Sequence, residues 1–252
     1  MRPIALEGGN MNPPERIDNF VYKERYEASD TIHRLLNHVR AKGIDWVPVS
    51  HGFEEGKHVL SFIPGIVPHD TPRWLYCGRM LKESAARLRV WHDATLDFRP
   101  INEKWLLSND EAREVICHND FAPYNWVFTQ RKRFKGLIDF DTCSPGSRLW
   151  DIAYTAYRIV PLMPYGDRRA YTEVSPFDRS RMEKRLKAFL GAYSRGEESL
   201  TYSVAEVLEK TQKRLLAIAE WSEREGARTG KKELCDHATM YRLHADWLKG
   251  NR

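Results

Sequence analysis

The sequence predicts an α+β fold in which a small β-rich N-terminal lobe precedes a larger α-helical C-terminal lobe. Three observations carry this. Short apolar runs broken by turn residues crowd the first 65 positions. From Trp74 onward apolar residues mostly recur at helical spacing. A strand–turn–strand pattern interrupts the helices between 126 and 138. No internal repeat and no low-complexity segment is present.

In the first lobe, Ile4-Ala5-Leu6 is a short apolar run ended by Gly8-Gly9-Asn10. Glu15-Arg16-Ile17 and Phe20-Val21-Tyr22-Lys23, separated by Asp18-Asn19, read as a hairpin. Ser29-Asp30 offers a cap for a helix through about Ala41, with Ile32, Leu35, Leu36 and Val39 on one face and Gly43 at its end. Val47-Pro48-Val49 and Val59-Leu60-Ser61-Phe62-Ile63 read as two further strands joined by Glu54-Glu55-Gly56, and Pro64-Gly65 as a linker. A β-rich lobe over 1–65 and an α-helical lobe over 66–252 are expected. In the second lobe a helix is expected from Trp74 to about Thr95, carrying Leu81, Ala85, Leu88 and Trp91. Trp126-Val127-Phe128 and Gly136-Leu137-Ile138 flank the polar turn Gln130-Arg131-Lys132-Arg133. Helices follow near 148–160, 178–194, 203–225 and 233–248.

The composition is that of an ordinary globular protein, 42% hydrophobic and 30% charged. Net charge is 40 − 35 = +5, with the signs interspersed rather than gathered into a basic arm, so nucleic acid is not the expected partner. Cys77, Cys117, Cys143 and Cys235 are widely spaced and form no C-x-x-C pair, which argues against a metal cluster or a disulfide framework. The apolar run after Met1 is too short for a signal peptide, and no stretch reaches the roughly 18 apolar residues of a membrane span. No membrane association and a cytoplasmic location are expected. Oligomeric state is left open.

The chemistry-bearing segment is His118-Asn119-Asp120-Phe121-Ala122-Pro123-Tyr124-Asn125, followed by Ile138-Asp139-Phe140-Asp141. The first part is H-x-D-x-x-x-x-N and the second ends a strand in an aspartate. Phosphoryl transfer needs an oriented hydroxyl nucleophile and neutralised phosphate oxygens. Asp120 can orient the hydroxyl and accept its proton. Mg²⁺ prefers oxygen ligands, and the amide oxygen of Asn125 with the carboxylate of Asp139 supplies two. Taken singly, Asn125 reads equally well as a strand cap and His118 as a core histidine.

These motifs resemble the catalytic loop and metal-binding signature of the aminoglycoside-phosphotransferase and choline-kinase superfamily. Gly146-Ser147-Arg148-Leu149-Trp150-Asp151-Ile152-Ala153 resembles that family's Asp-Leu-Ala segment, and Trp91-His92-Asp93 its leucine-histidine-aspartate stretch. Val21-Tyr22-Lys23 and Phe62-Ile63-Pro64-Gly65 resemble parts of its nucleotide lobe. More narrowly, the chain resembles bacterial phosphotransferases of the trifolitoxin-immunity type. The resemblance implies a protein-kinase-like two-lobe fold, with ATP or GTP and Mg²⁺ as cofactors and a small hydroxylated molecule as acceptor. It implies Asp120 as the base, Asn125 and Asp139 as metal ligands, and His118 and Asp151 as supports of the catalytic loop. Lys23 would contact the α/β-phosphates, and the hinge near Ser61, Phe62 and Ile63 would offer backbone groups to the base.

Three departures from that family's pattern stand out. No G-x-G-x-x-G is present, and Gly8 and Gly9 are the candidate phosphate loop. The helix at 29–41 lacks a glutamate for Lys23; His33 stands in its place, with Glu24 and Glu27 as alternatives. Residues 178–252 carry 16 Lys/Arg against 12 Asp/Glu, whereas a polycationic aminoglycoside favours a carboxylate-lined pocket. A neutral or anionic acceptor is therefore expected. Two competing readings are a protein kinase, which lacks support because neither D-F-G nor A-P-E follows, and a non-catalytic nucleotide-binding or immunity protein on the same fold.

Overall fold

The computed structural model describes residues 4–6, 14–68, 72–164 and 179–250. The chain divides into two compact units. The first comprises 1–69, 91–120 and 124–146. The second comprises 70–90, 121–123 and 147–252.

The first unit is built on a five-stranded antiparallel sheet in the order β1-β2-β3-β5-β4. Its strands are β1 (Ile4–Ala5), β2 (Glu15–Ile17), β3 (Phe20–Glu24), β4 (Ser50–Glu54) and β5 (Lys57–Ser61). The expected hairpin forms: Ile17 faces Phe20 across the turn, and Asp18 takes the left-handed conformation at φ 54° that such a turn requires. Helix α1 (Ser29–Ala41) buries Ile32, Leu35, Leu36 and Val39, as its 3.6-residue spacing demands. Each such side chain contributes about 1.5–3 kcal/mol on leaving water. Gly43, at φ 88°, turns the chain away after the helix.

One strand differs from expectation. Val47-Pro48-Val49 is not a strand; pairing begins at Ser50 and runs to Glu54. Pro48 has no N–H to donate to a ladder. The amide of Val49 bonds instead to the Ser61 hydroxyl, and a register shift follows between Ser50 and Gly52. Accordingly β5 ends at Ser61 rather than Ile63.

Two small sheets complete this unit. In the first, β6 (Val115–Cys117) pairs with β9 (Ser144–Gly146). In the second, β7 (Trp126–Phe128) pairs with β8 (Phe134–Leu137) as the expected hairpin. That hairpin is fastened to the chain before it at several points. Ile66 and Phe128 exchange both backbone hydrogen bonds at 2.8 Å, and the Leu137 amide donates to Trp46 O at 2.9 Å. Gly65 and Gly136 allow the close approach. A Cβ on Gly65 would meet Val127 Cγ1 and the Phe128 carbonyl inside contact distance, and one on Gly136 would meet Ile63 Cδ1 and Trp46 O.

The second unit is helical, with α3 (Arg148–Ile159), α4 (Arg179–Ser194), α5 (Val204–Thr229) and α6 (Lys232–Gly250). Helix α2 (Gly78–Thr95) begins four residues later than its apolar spacing suggests. Arg73–Tyr76 forms a separate 3₁₀ turn, and Cys77 is extended at ψ 156° and ends it. Ser147 caps α3 by accepting from the Trp150 amide. Ser203 and Glu206 form a capping box at the start of α5, and Gly230 at φ 70° closes its end. Helices α5 and α6 pack together closely where Gly226 faces Cys235, leaving no room for a Cβ.

Candidate active site

The site lies within the first unit, where four segments converge: β3, the loop after β6, the turn before β7 and the residues after β8. Two backbone features aim it. Asn119, at φ 64°, turns the chain so that Asp120 leaves the line of β6. Asp139, at φ 65°, turns it again after β8. Asn and Asp tolerate the left-handed region better than other non-glycine residues. The Asn119 conformation is held by its own side chain, which donates to Thr142 O and Ser144 Oγ, both at 2.8 Å.

Asp120 is partly buried. Its Oδ1 accepts from the Tyr124 hydroxyl at 2.5 Å and its Oδ2 from the Asn125 amide nitrogen at 2.9 Å. The same Asn125 nitrogen donates to Asp120 O at 3.0 Å. With its nitrogen so committed, the Asn125 amide turns its oxygen away from Asp120. The Ile138 amide donates to Asn125 O at 3.0 Å, which fixes the two halves of the signature side by side.

Lys23, on β3, lies 3.1 Å from Asp139 Oδ1 and 2.6 Å from Asp141 Oδ2. Burial alone would lower the Lys23 ammonium, but the two aspartates outweigh it and hold the group above its ordinary value. For Asp139, burial pushes upward, while Lys23 pulls further and leaves the carboxyl below the usual range. Asp141 is pushed above it by burial, reinforced by the neighbouring Asp139 charge. Asp139 still exposes 39% of its side chain, so it is the member of the pair open to a ligand.

Asp141 is the closer of the two carboxylates to Lys23, a partner that the sequence did not point to. Glu24 turns to Lys57 at 3.8 Å, and Glu27 is exposed. His33 Nδ1 bonds the Ser50 hydroxyl at 2.7 Å, which in turn contacts His58 Nε2 at 2.6 Å. The signal for Asp141 was its place two residues past Asp139, outside any element that periodicity could read. Tyr124 was likewise in the motif without an assigned role.

His118 is fully buried, in an aromatic cluster with Trp91 and Phe140 at ring distances of 6.0 and 5.0 Å. Trp91 Nε1 donates to Ile116 O, fastening β6 to α2. Asp151, in the first turn of α3, is also fully buried. At the expected hinge the Ser61 amide donates to Val49 O and the Phe62 amide to Asn19 O; Arg16 stacks on the Phe62 ring at 3.7 Å. Gly8 and Gly9 lie outside the described residues, in the segment between β1 and β2.

Among the described residues no three His, Cys, Asp or Glu side chains gather to hold a metal by themselves. The donor set here is of another kind. One amide oxygen and one ionised carboxylate suit an octahedral hard cation that draws its other ligands from phosphates and water. Asn125 and Asp139 fit Mg²⁺ on that ground.

The model of the phosphotransferase enzyme family matches residues 67–185. No curated protein matches the sequence. Solved structures are similar in fold. An ethanolamine kinase of Plasmodium vivax aligns with TM-score 0.65 at 12% identity, over 100% of this chain and 84% of its own. A choline/ethanolamine kinase family protein of Mesorhizobium loti aligns with TM-score 0.63 at 15% identity, over 98% and 88%. A macrolide 2′-phosphotransferase of Brachybacterium faecium aligns with TM-score 0.55 at 10% identity, over 96% and 91%. The chain therefore has the protein-kinase-like fold of these proteins, and its residues 67–185 match the model of the phosphotransferase enzyme family.

Proposed function

We propose that this protein transfers the γ-phosphate of ATP or GTP to a hydroxyl of a small molecule. Asp120 acts as the base. The acceptor oxygen forms a bond to γ-phosphorus while the bond from γ-phosphorus to the bridging oxygen breaks, releasing the nucleoside diphosphate. The hydroxyl proton passes to Asp120. Asn125 and Asp139 hold Mg²⁺, whose charge offsets that of the phosphates when it is bound. Lys23 meets the same phosphates.

The observation that carries the reading is the convergence of Lys23, Asp120, Asn125 and Asp139 within one compact unit, from segments 116 residues apart in sequence. Nucleotide binding is further supported by a fold neighbour, an aminoglycoside 2′-phosphotransferase solved as its GDP complex. In this proposal 1–65 serves the nucleotide and 66–252 catalysis and the acceptor, in a cytoplasmic protein. Because the Ser61 and Phe62 amides are engaged in the sheet, contacts to the base fall to their carbonyls and to the backbone of Ile63.

The test is Mg²⁺-dependent turnover of ATP and GTP with a panel of hydroxylated metabolites and antibiotics. Transfer to any acceptor supports the proposal. Tight nucleotide binding without turnover on any acceptor or on water would favour the non-catalytic binding protein.

A further inference from the structure

A general base works only if its carboxylate is aimed, and Asp120 is aimed by its own loop. The Tyr124 hydroxyl holds Oδ1 at 2.5 Å, and the Asn125 amide holds Oδ2 at 2.9 Å. Tyr124 lies in the single 3₁₀ turn Pro123–Asn125, four residues after Asp120, so the contact closes within one short loop. The two donors differ in what else they do. Asn125 also faces the proposed metal, whereas the phenol brings no charge and no metal-binding group. A carboxylate has about four acceptor directions. With one on each oxygen taken by the loop, the plane of the carboxylate is fixed.

From this we infer that Tyr124 is a positioning residue for Asp120: its hydroxyl sets the rotation of the carboxylate that receives the acceptor proton. The inference rests on the proposed role of Asp120 as base. It makes Tyr124 a determinant of turnover rather than of nucleotide binding, since the phenol acts on the base and not on the triphosphate. A purely structural tyrosine would act differently, costing the same factor whether or not Asp120 can serve as a base.

A double-mutant cycle separates the two. The probe is release of inorganic phosphate from Mg·ATP with water as acceptor, measured for the wild type, Tyr124→Phe, Asp120→Asn and the double variant. Tyr124→Phe should lower kcat about tenfold, the size expected for one hydrogen bond to a charged group, with KM for Mg·ATP unchanged. In the Asp120→Asn background the same substitution should cost nothing further. Equal losses in both backgrounds, or no loss in either, would overturn the role of Tyr124. Asp120→Asn at wild-type rate would instead overturn the base assignment itself, so the two failures are distinct. A crystal structure of Tyr124→Phe reads the point without turnover. The Asp120 carboxylate should rotate away from its present plane, and an unchanged carboxylate would count against the inference.

Discussion

Asp139 is the residue on which several demands meet. It sits at φ 65°, pairs with Lys23, and retains exposed surface for a cation. Its depressed proton affinity keeps it charged at neutral pH, which a ligand for a hard cation must be. Asp139→Ala should therefore abolish Mg²⁺-dependent nucleotide binding in a calorimetric titration, whereas Asn125→Ala, losing a neutral ligand, should weaken it less. Equal affinities for the wild type and the Asp139 variant would contradict the metal assignment. The types and spacing of these residues were legible in the sequence, because H-x-D-x-x-x-x-N and the strand-ending aspartate are local patterns. The Lys23–Asp141 pair was not, because it joins positions 118 residues apart and no periodicity connects them.

At the scale of elements, the β7–β8 hairpin carries Asn125 before it and Asp139 after it, so its seating positions both proposed metal ligands. Gly65→Ala places a methyl group against Val127 and the Phe128 carbonyl, and backbone cannot yield as a side-chain tip can. The change should cost about 1–3 kcal/mol in denaturant unfolding, with the Ile66–Phe128 pairing weakened; wild-type stability would contradict the close packing. The chain of His33, Ser50 and His58 makes a second element-level prediction. Ser50 has one hydroxyl proton for two imidazoles, so at least one ring donates to it. Burial chiefly, with His33, Lys23 and Arg25 adding and Asp30 opposing, lowers His58 from 6.5 to about 4. The unfolded chain therefore binds this proton first as pH falls. Stability from His58 is intact above pH 6.5 and declines toward pH 4. Between pH 7 and 5 the wild type should lose on the order of 1–2 kcal/mol more than His58→Gln. Parallel pH–stability curves would contradict it. Pairing partners such as β6 with β9, and the displaced strand at Ser50–Glu54, lay beyond sequence reasoning. A three-residue strand has too short a period to register, and Pro48 moved the boundary of the other.

Over the whole molecule, the division into a strand-rich beginning and a helical remainder followed from a change of hydrophobic period, which is why it could be read without alignment. Which molecule receives the phosphate does not follow from fold, since many chemistries share one architecture. Charge narrows the class. Residues 178–252 carry 16 − 12 = +4. Several acids there are already engaged: Glu206 in the capping box, Glu209 with Lys213 at 2.9 Å, and Glu225 with Arg228. Glu220 and Asp236 stand exposed on the outer faces of α5 and α6. An ammonium group taken from water needs an oxygen partner, so a neutral or anionic hydroxylated acceptor is expected. In competition assays, sugar-like compounds should displace the acceptor where kanamycin-like compounds do not. Saturation by an aminoglycoside at micromolar concentration would contradict this.

The central claim is that Asp120 is the base of a phosphoryl transfer, and it is tested most directly by following label from γ-³²P nucleotide into the acceptor panel with the wild type and Asp120→Asn. The wild type should label an acceptor in a Mg²⁺-dependent manner. Labelling should fall by roughly two to four powers of ten in the variant, with nucleotide affinity preserved. Undiminished transfer by Asp120→Asn would contradict it.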